Sequence, residues 1–408
     1  MTLPDHESPA TGGQRRIDWA ARGMPALRAV GQRLAAEGSL EGLRAGLSLV
    51  LEPKTANLAL ALQAAGVEVS VFGHTQTTEV VDALRDRGVA VYAVHDRDER
   101  RRREVERDFL HQGLQVLVDD GATLIRRVHR EFPELLTDLY GACEETTSGV
   151  RPLRQMAAEK ALRIPVIAVN DAQLKYLFDN VYGTGQSCVM ALLDLTNLQL
   201  AGRIVVVVGY GWVGKGVALH AAALGARVVV SEIDPIRALQ AHHDGHQVAS
   251  IADVASSAEV VFSATGIAGS VTAEHIEAMR DGVIVCTAGG GSFELPMDYL
   301  RRTGKRSALL PGLAEYQLPS GKRVLIASEG ACVNCADAEG NPIEVMDLSL
   351  TLQALAIEHL SLTAKDWAPE VYPVPPKLEA AVARLCLDHV GATLEPVTPE
   401  LSAAMRRW

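Results

Sequence analysis

IVVVVGYGWVG, residues 204–214, is the stretch of this chain that decides its fold. Its first five residues predict a strand, and a helix is expected to start within the glycine-rich part, which is the context that a dinucleotide-binding G-x-G-x-x-G requires. Gly209 permits a tight turn, Gly211 lets the backbone approach a pyrophosphate, and Gly214 lets the helix pack closely on the strand. The helix N-terminus would offer N–H groups and a positive dipole to the phosphates.

The next predicted strand ends before Glu232, whose carboxylate is placed to bind the adenosine ribose of the dinucleotide. It can accept hydrogen bonds from both ribose hydroxyls and would repel a 2′-phosphate, so NAD is favoured over NADP as the cofactor. Trp212 and Val213 in the turn, and Ile233 and Arg237 after the acid, complete this part of the predicted cofactor site. A glycine-rich turn in another kind of α/β domain is the alternative, but strand, helix and acid together favour the dinucleotide.

The rest of the chain alternates between short apolar runs and Ala- and Leu-rich helical stretches. The apolar runs that predict strands are residues 47–51, 67–72, 89–94 and 116–118 before the glycine motif, and 227–231, 260–263, 283–286 and 324–326 after it. Helical patterning lies between them, for instance at residues 56–65 and 187–198. This βαβ rhythm predicts an α/β fold with doubly wound, mainly parallel sheets.

Composition excludes several classes of protein. The 408 residues suit two or three domains, and 48% hydrophobic residues allow a buried core. A net charge of −11 and only 4% aromatic residues argue against a nucleic-acid partner. No apolar run reaches membrane-spanning length, the polar N-terminus is not a secretory signal, and six scattered cysteines suit a reducing compartment. We therefore expect a cytoplasmic protein that binds neither nucleic acid nor membrane.

Several segments, in this order, resemble the adenosylhomocysteinase family of NAD-dependent enzymes. They are DDG at residues 119–121, EETTSGV at 144–150, VNDAQLKYLFDN at 169–180, GYGWVGKG at 209–216, EIDPIRAL at 232–239 and PPKLE at 375–379. The similarity runs from about residue 17 to about residue 401. The run N-D-x-x-x-K-x-x-F-D-N is specific enough to identify the chain as a member of this family.

The resemblance implies an arrangement of domains. A Rossmann NAD-binding domain, residues 183–340, would be inserted in a substrate-binding domain formed by residues 17–182 and 341–408. Residues 1–16, rich in Pro, Ser and Gly, are predicted to form a mobile arm. The family also implies a homo-oligomer, a tetramer or a dimer.

The resemblance further implies a redox-neutral reaction on a small-molecule nucleoside. Bound NAD takes a hydride from the ribose C3′, the ketone acidifies the C4′ proton, the 5′ substituent leaves, water adds, and the hydride returns. The protein positions the substrate and handles protons, whereas the cofactor supplies the redox chemistry.

Residues of the sugar-oxidising set are carried over from the family by position. Lys175 matches the lysine that handles the 3′-hydroxyl proton, and such an amine is expected to need a lowered pKa. Asp179 and Glu145 match carboxylates that hold the sugar hydroxyls, and Asp120 matches an acid near C4′. The remaining matches are Thr146 beside the sugar, Asn180 and Asn334 facing the nicotinamide, and Thr265 at the cofactor edge.

Three departures fall on family histidines. Val50 stands for the first, in a stretch where Glu52 and Lys54 also replace a threonine and a glutamate. A family Gly-His-Phe-Asp is represented by GGGSFE, residues 289–294, so Ser292 is predicted to lie at the substrate site in its place. Asn341 replaces the third histidine.

These changes affect groups that recognise adenine or serve the 5′ leaving group, whereas the sugar-oxidising groups are present. Each lost buried partner costs about 1–3 kcal/mol, so ordinary S-adenosylhomocysteine turnover should be weakened. Glu52 and Lys54 are predicted to meet a different substrate group, or else to pair with each other. The family's lysine and tyrosine tail is not found before Trp408, and we expect looser cofactor retention.

Three functions remain open. The first is NAD-driven 3′-oxidation, C4′ deprotonation and loss of the 5′ group on a diverged nucleoside, for instance a 4′,5′-dehydration in specialised nucleoside biosynthesis. The second is ordinary S-adenosylhomocysteine hydrolysis, and the third is a non-catalytic NAD-binding regulator. No metal site is predicted: CVNC, residues 332–335, is a single C-x-x-C that we expect to be small buried residues, not the start of a thioredoxin-like helix.

Overall fold

A computed structural model describes residues 9–74, 78–94, 98–336 and 338–407 of the chain. Its first part alternates strands and helices. The strands are β1 Arg44–Ser48, β2 Glu68–His74, β3 Ala90–Val94, β4 Val116–Asp119, β5 Gly141–Glu144 and β6 Val166–Ala168. The helices are α1 Pro9–Arg22, α2 Pro25–Glu37, α3 Pro53–Ala64, α4 Thr78–Asp86, α5 Glu99–Leu110, α6 Thr123–Glu131 and α7 Thr147–Ala158, and a π-helix, Lys175–Thr184, closes this part.

The second part forms another sheet with its own helices. Its strands are β7 Ile204–Val208, β8 Arg227–Ser231, β9 Gln247–Val248, β10 Val260–Ser263, β11 Val283–Thr287, β12 Lys305–Leu310, β13 Leu313–Gln317 and β14 Arg323–Ala327. Its helices are α8 Gly185–Thr196, α9 Trp212–Ala223, α10 Pro235–His243, α11 Ile251–Val254, α12 Ala273–Ala278, α13 Met297–Thr303 and α14 Val333–Ala336. The chain then continues through α15 Ile343–Thr363, β15 Val371–Pro373, α16 Pro376–His389 and α17 Pro399–Met405.

The first sheet is parallel and has the strand order β15-β6-β5-β4-β1-β2-β3. Its last strand in sequence, β15, pairs with β6, so the chain returns to the first domain after completing the second. The direction of winding changes between β4 and β1, where Ser48 lies beside Asp119. Ligands of open α/β sheets bind at the carboxyl ends of the strands at such a switch point.

The second sheet has the order β12-β13-β14-β11-β10-β7-β8-β9, and β13 runs antiparallel to both of its neighbours. Its switch point lies between β7 and β10, next to the glycine-rich turn. The structure therefore confirms the predicted fold class: two doubly wound α/β domains, with a Rossmann domain inserted in the other.

Both sheets are covered on both faces, which explains their strongly apolar strands. In β7, Val205 and Val207 belong to one core cluster, and Val206 and Val208 belong to the cluster on the opposite face. In the first domain, α15 is buried along most of its length and packs against α2, α3 and the π-helix. The returning segment thus forms part of the first domain's core.

The predicted mobile arm is wrong for residues 9–16, which belong to α1. Gly12 and Gly13, whose presence suggested mobility, are instead where α1 touches α4. A Cβ added to Gly13 would clash with the Glu79 carbonyl oxygen. Glycine is needed there for close helix packing, and residues 1–8 lie outside the described residues.

None of the helices within the described ranges is long and apolar enough to cross a lipid bilayer.

Candidate functional site

Four neighbouring strands of the first sheet carry the predicted substrate-site residues at their carboxyl ends. Glu52 follows β1, Asp120 follows β4, Glu145 follows β5, and the π-helix that begins at Lys175 follows β6. Because parallel strands end at one edge of the sheet, residues far apart in sequence meet there.

Lys175 is the centre of a buried cluster. Its Nζ donates hydrogen bonds of 2.9 Å to Asp179 Oδ1 and of 2.9 Å to Asn180 Oδ1. Glu145 Oε1 lies 3.8 Å from the same nitrogen, and all four side chains are buried. The wider turn of a π-helix, a feature frequent at functional sites, brings the fourth and fifth residues after Lys175 to its amine.

The ionisation of this cluster differs from expectation. Burial alone would lower the pKa of Lys175, but the carboxylates of Asp179 and Glu145 outweigh it and raise the pKa. The predicted lowered pKa is therefore wrong for the protein without substrate. Burial raises the pKa of Glu145 to about 7, against the attraction of Lys175. The cluster thus combines a cationic amine with a carboxyl group that titrates near neutrality.

Asp120 and Glu145 are each the second acid of a doublet, and the first acid, Asp119 or Glu144, holds the loop backbone. The buried Asp119 carboxylate accepts backbone N–H groups of Leu124 and Ile125, at 2.8 and 2.9 Å. Glu144 accepts those of residues 121, 122 and 146. The first acid of each doublet therefore satisfies the backbone at a strand end, and the second is presented to the cleft.

Asp120 itself has the properties of a general base. Burial, partly offset by Lys175 and reinforced by Asp119 and Asp179, raises its pKa to about 6. A carboxylate that titrates close to neutral pH is suited to taking a proton from carbon.

Near Glu145, buried acceptor oxygens of the protein lack donors, which a bound ligand would supply. Gln353, on α15, donates to Glu145 Oε2. Among the described residues, three buried side-chain oxygens lack a hydrogen-bond donor: Glu294 Oε1 in the cofactor domain and, in this cluster, Glu145 Oε1 and Gln353 Oε1. Buried acceptors are nearly always paired in folded proteins, so these two point to hydroxyl or N–H groups of a bound molecule.

Asn341 has a different position from the one predicted. Its Nδ2 donates to Asp179 Oδ1 at 2.9 Å and to Thr184 Oγ1 at 3.1 Å. Its Oδ1 accepts from Ser187 Oγ and Asn334 Nδ2, both at 3.0 Å. A carboxamide has two N–H groups and two lone pairs, so these bonds use its full capacity. The structure favours a positioning role over the substrate contact that we predicted.

Glu52 and Lys54 pair with each other, which confirms that alternative. Lys54 Nζ lies 2.8 Å from Glu52 Oε2 and also donates to the carbonyl of Glu339. Burial raises the pKa of Glu52 to about 7, and Lys54 lowers it only in part. Glu52 lines an interdomain cleft of about 690 Å³ together with Ser292, whereas Lys54 lines a separate cavity of about 850 Å³.

The predicted dinucleotide site is formed at the switch point of the second sheet. Gly209 has a φ of 93°, and a Cβ on Gly214 would lie 2.0 Å from the Gly209 carbonyl oxygen. The nearest atom to a Cβ placed on Gly211 is Arg237 Nη1, at 3.9 Å, so the backbone there is open to a ligand. Trp212 stacks on Tyr176 of the π-helix at 4.7 Å, which links this turn to the Lys175 cluster.

Acidic side chains organise the rest of this site. Glu232 accepts the backbone N–H groups of Tyr210, Ile233 and Asp234 at 2.7–2.9 Å. Thr265 follows β10 and donates from its N and Oγ1 to Glu294 Oε2, at 2.9 and 2.8 Å. Sequence reasoning missed Glu294. It also missed Ser187, Gln353 and Ser349, whose Oγ donates to Asp179 Oδ2 at 2.9 Å.

The fold and these sites define a class of protein: an NAD-dependent enzyme whose first domain presents ionisable groups to the cofactor domain. The glycine turn with open backbone and the acid after β8 fit NAD. The chain belongs to the adenosylhomocysteinase family.

Comparisons with known proteins establish this membership. The family profile described as S-adenosyl-L-homocysteine hydrolase, NAD binding domain, matches residues 180–340. The chain is 44% identical to the S-inosyl-L-homocysteine hydrolase of Methanopyrus kandleri, covering 98% of this chain and 95% of that protein. It is 40% identical to the adenosylhomocysteinase of Thermococcus kodakarensis, with 98% and 96% covered, and 39% identical to that of Thermotoga maritima, with 97% and 99% covered.

A solved structure with much lower sequence identity shares the fold. One dipicolinate synthase chain, from Bacillus halodurans, is similar with a TM-score of 0.51 and 15% identity, covering 80% of this chain and 99% of that one. At this identity the likeness supports the two-domain fold and nothing about activity.

Proposed function

We propose that this protein cleaves the 5′ substituent of a purine nucleoside by transient oxidation at C3′, and that its nucleoside substrate differs from that of ordinary adenosylhomocysteinases. The observation that carries the proposal is the buried Lys175 cluster with an acceptor, Glu145 Oε1, that lacks a donor among the described residues. Two vicinal hydroxyls of a ribose supply such donors, and the neighbouring Gln353 Oε1 offers a further acceptor.

The cluster residues would handle the proton of the 3′-hydroxyl. Asp179 and Asn180 hold the Lys175 ammonium in place, at 2.9 Å each, so that it can meet O3′. As C3′ becomes a ketone, the O3′ proton passes into the Lys175–Glu145 pair, where the carboxyl titrates at a pKa of about 7. NAD, bound at the second sheet, would supply the redox chemistry by accepting the C3′ hydride and returning it at the end.

Asp120 would remove the C4′ proton. The ketone at C3′ acidifies that proton, and the Asp120 carboxyl, with a pKa of about 6, is mostly ionised at neutral pH. Its backbone is fixed because Asp119, one residue earlier, accepts the Asp120 N–H at 3.1 Å. Loss of the proton expels the 5′ group, which leaves as its anion and takes up a proton. Water then adds to the C4′–C5′ double bond, so that C5′ gains a hydroxyl and C4′ regains a proton before the hydride returns to C3′.

The mouth of the cleft supports a diverged substrate. Val50 brings no polar group where the family has a histidine, and Asn341 is engaged with protein groups, so neither recognises the substrate as a histidine would. Glu52 offers an acceptor at the mouth, which suits the N1–H of a 6-oxopurine. The 44% identical relative from Methanopyrus kandleri, named as acting on S-inosyl-L-homocysteine, agrees with this interpretation.

A second reaction needs its own test because the leaving-group side has lost its histidines. A nucleoside with a free 5′-hydroxyl would lose water across C4′ and C5′, and the product would be an enol ether. Ordinary S-adenosylhomocysteine hydrolysis is favoured by the relatives of 39–40% identity. The regulator hypothesis is opposed by the intact, buried cluster, since a pure binding protein has no use for it.

A substrate panel tests the proposal. The protein loaded with NAD is mixed with S-inosyl-L-homocysteine, S-adenosyl-L-homocysteine, inosine and adenosine, and absorbance of reduced nicotinamide, released thiol and nucleoside products are followed. We expect the highest kcat/KM for a substrate other than S-adenosyl-L-homocysteine. A clear preference for S-adenosyl-L-homocysteine would contradict the diverged substrate, and no reduced nicotinamide with any compound would contradict the reaction itself.

A further inference from the structure

We propose that Cys332 and Cys335 form a reversible intramolecular disulfide that disarranges the site and thereby inhibits the enzyme. The proposal concerns a C-x-x-C motif that the reaction does not use. Formation of the disulfide does not depend on the proposed function, whereas the predicted loss of activity rests on it.

The two cysteines lie on one helical turn, contrary to our expectation that CVNC would not open a helix. Cys332 directly precedes α14, and the backbone N–H groups of Cys335 and Ala336 donate to its carbonyl at 3.1 and 3.0 Å. Side chains three residues apart on a helical turn lie on the same face. A C-x-x-C at the start of a helix is the arrangement of redox-active dithiols.

The surroundings of Cys332 favour its thiolate. The Gly289 backbone N–H donates to Cys332 Sγ at 3.0 Å, from the loop after β11. Hydrogen bonds from the thiols of Cys188 and Cys335, together with this N–H, lower the pKa of Cys332 well below its usual range. The thiolate is the reactive form of cysteine, so Cys332 is the nucleophile of the pair.

Small oxidants can reach this pair. Cys335 is exposed and lines the interdomain cleft of about 690 Å³, and Cys332 is half-buried behind it. Cys143, Cys188 and Cys286 are buried. Within the described part of the chain, no group of three His, Cys, Asp or Glu side chains is arranged to hold a metal ion.

Oxidation would reach the Lys175 cluster through Asn334, which lies between the two cysteines. Cys332 Sγ lies 2.8 Å from Asn334 Oδ1, so a bridge that moves this sulfur toward Cys335 changes a contact of the Asn334 side chain. Asn334 in turn donates to Asn341 Oδ1 at 3.0 Å, and Asn341 donates to Asp179. A bridge that turns the Cys332 side chain toward Cys335 therefore alters the first contact of a chain that ends at Asp179, the partner of Lys175.

The reaction is a thiol–disulfide exchange with a small disulfide as the oxidant. The Cys332 thiolate attacks one sulfur of the small disulfide, forms a mixed disulfide and releases one small thiol. Cys335 gives its proton to water, attacks the Cys332 sulfur and releases the second small thiol. Two protein thiols are thus oxidised while one small disulfide is reduced to two thiols.

The test uses the full-length protein loaded with NAD and oxidised glutathione as the probe. Peptide mapping by mass spectrometry should find a Cys332–Cys335 bridge, and the rate of nicotinamide reduction by substrate should fall about 100-fold, the loss expected for an ångström-scale misplacement. Dithiothreitol should restore the rate. Cys332→Ser, which removes the attacking thiolate, should keep its own starting rate in the presence of oxidant, and Cys386→Ser, at a cysteine outside the motif, should respond as the wild type does.

Three results would overturn the proposal. They are a stable mixed disulfide at Cys332 without a bridge to Cys335, a bridge from Cys332 to Cys188 instead, and a fully bridged protein that keeps its rate. If the reduced protein forms no reduced nicotinamide with any nucleoside, the proposed function fails, whereas the mapping still decides whether the bridge forms.

Discussion

Asn341 Nδ2 donates a 2.9 Å hydrogen bond to Asp179 Oδ1, across 162 residues of sequence. The bond ties the start of the returning segment to the π-helix, in the position where the family has a histidine. Because Asn341 also accepts from Asn334, the same amide connects the Lys175 cluster with the cofactor domain. Asn341 therefore joins the two halves of the site without a titratable group.

Asn341→Ala should disturb both halves. The substitution removes one hydrogen bond each from Asp179 Oδ1, Thr184 Oγ1, Ser187 Oγ and Asn334 Nδ2, and a buried group left unsatisfied costs about 1–3 kcal/mol. Substrate-dependent nicotinamide reduction should fall about 100-fold, because the reacting groups lose their alignment. Gln199→Ala, at an exposed amide, is the control, and an Asn341→Ala protein with the wild-type rate would refute the positioning role.

Asp120 should set an acid limb in the pH profile of C4′ proton exchange. Its pKa is raised to about 6, chiefly by burial, and a base must be ionised to act, so exchange should decline as pH falls through about 6. The measurement is deuterium uptake from solvent into the nucleoside, by mass spectrometry. Asp120→Asn should slow exchange by about 100- to 10,000-fold while reduced nicotinamide still forms. Unchanged exchange in this variant would show that another group is the base.

Glu232 should decide the choice between NAD and NADP. Its carboxylate, held by three backbone N–H groups, would repel a 2′-phosphate. Glu232→Gln keeps the shape and removes the charge, so the ratio of the Kd for NADP to that for NAD should fall about tenfold, equal to about 1.4 kcal/mol. Glu400→Gln, at an exposed glutamate, serves as the control. An unchanged ratio in titration calorimetry would remove Glu232 from the selectivity determinants.

Glu294 should support cofactor binding through Thr265. Its Oε2 accepts from Thr265 N and Oγ1 and from Ser263 Oγ, so Glu294→Ala removes the acceptor of Thr265 N and of the buried Ser263 Oγ, whereas Thr265 Oγ1 keeps its bond to Ser270 Oγ. We expect the Kd for NAD to rise about tenfold, which corresponds to the roughly 1–3 kcal/mol of such a loss. Glu400→Ala is the matched control, and an unaltered Kd in Glu294→Ala would show that Thr265 does not depend on this carboxylate.

The sequence allowed the most accurate predictions where strands are buried on both faces. Strands β7, β8 and β10 begin and end at the predicted residues, since an uninterrupted apolar run leaves little choice of register or partner. The first strand was placed three residues late, because Leu49 and Leu51 after β1 are buried in the loop. Neither β12 nor its hairpin partner β13 was predicted; the six residues of β12 are exposed, and its apolar residues stand together at one end instead of alternating.

The candidate site was predictable only in its motif residues. Lys175, Asp179 and Glu145 stand in strings that resemble the family, and the structure brings them together. Ser349 and Gln353 could not be found, because they lie on α15, whose approach to the π-helix depends on tertiary packing. The full use of Asn341's hydrogen bonds likewise follows from four partners that no local pattern connects.

Cellular location and assembly remain predictions from composition and from the family: a cytoplasmic homo-oligomer. Size-exclusion chromatography with light scattering would measure the assembly directly, and a monomeric mass would contradict that expectation.

The central claim is that a nucleoside hydroxyl is oxidised beside Lys175. Its most direct test is a rapid-mixing measurement of reduced-nicotinamide absorbance in the NAD-loaded protein with S-inosyl-L-homocysteine and S-adenosyl-L-homocysteine, repeated with Lys175→Met and, as a control, with Lys365→Met at an exposed lysine. The account predicts a transient absorbance for the wild type and for Lys365→Met, and its loss in Lys175→Met. An equal transient in Lys175→Met, or none in the wild type with either nucleoside, would contradict it.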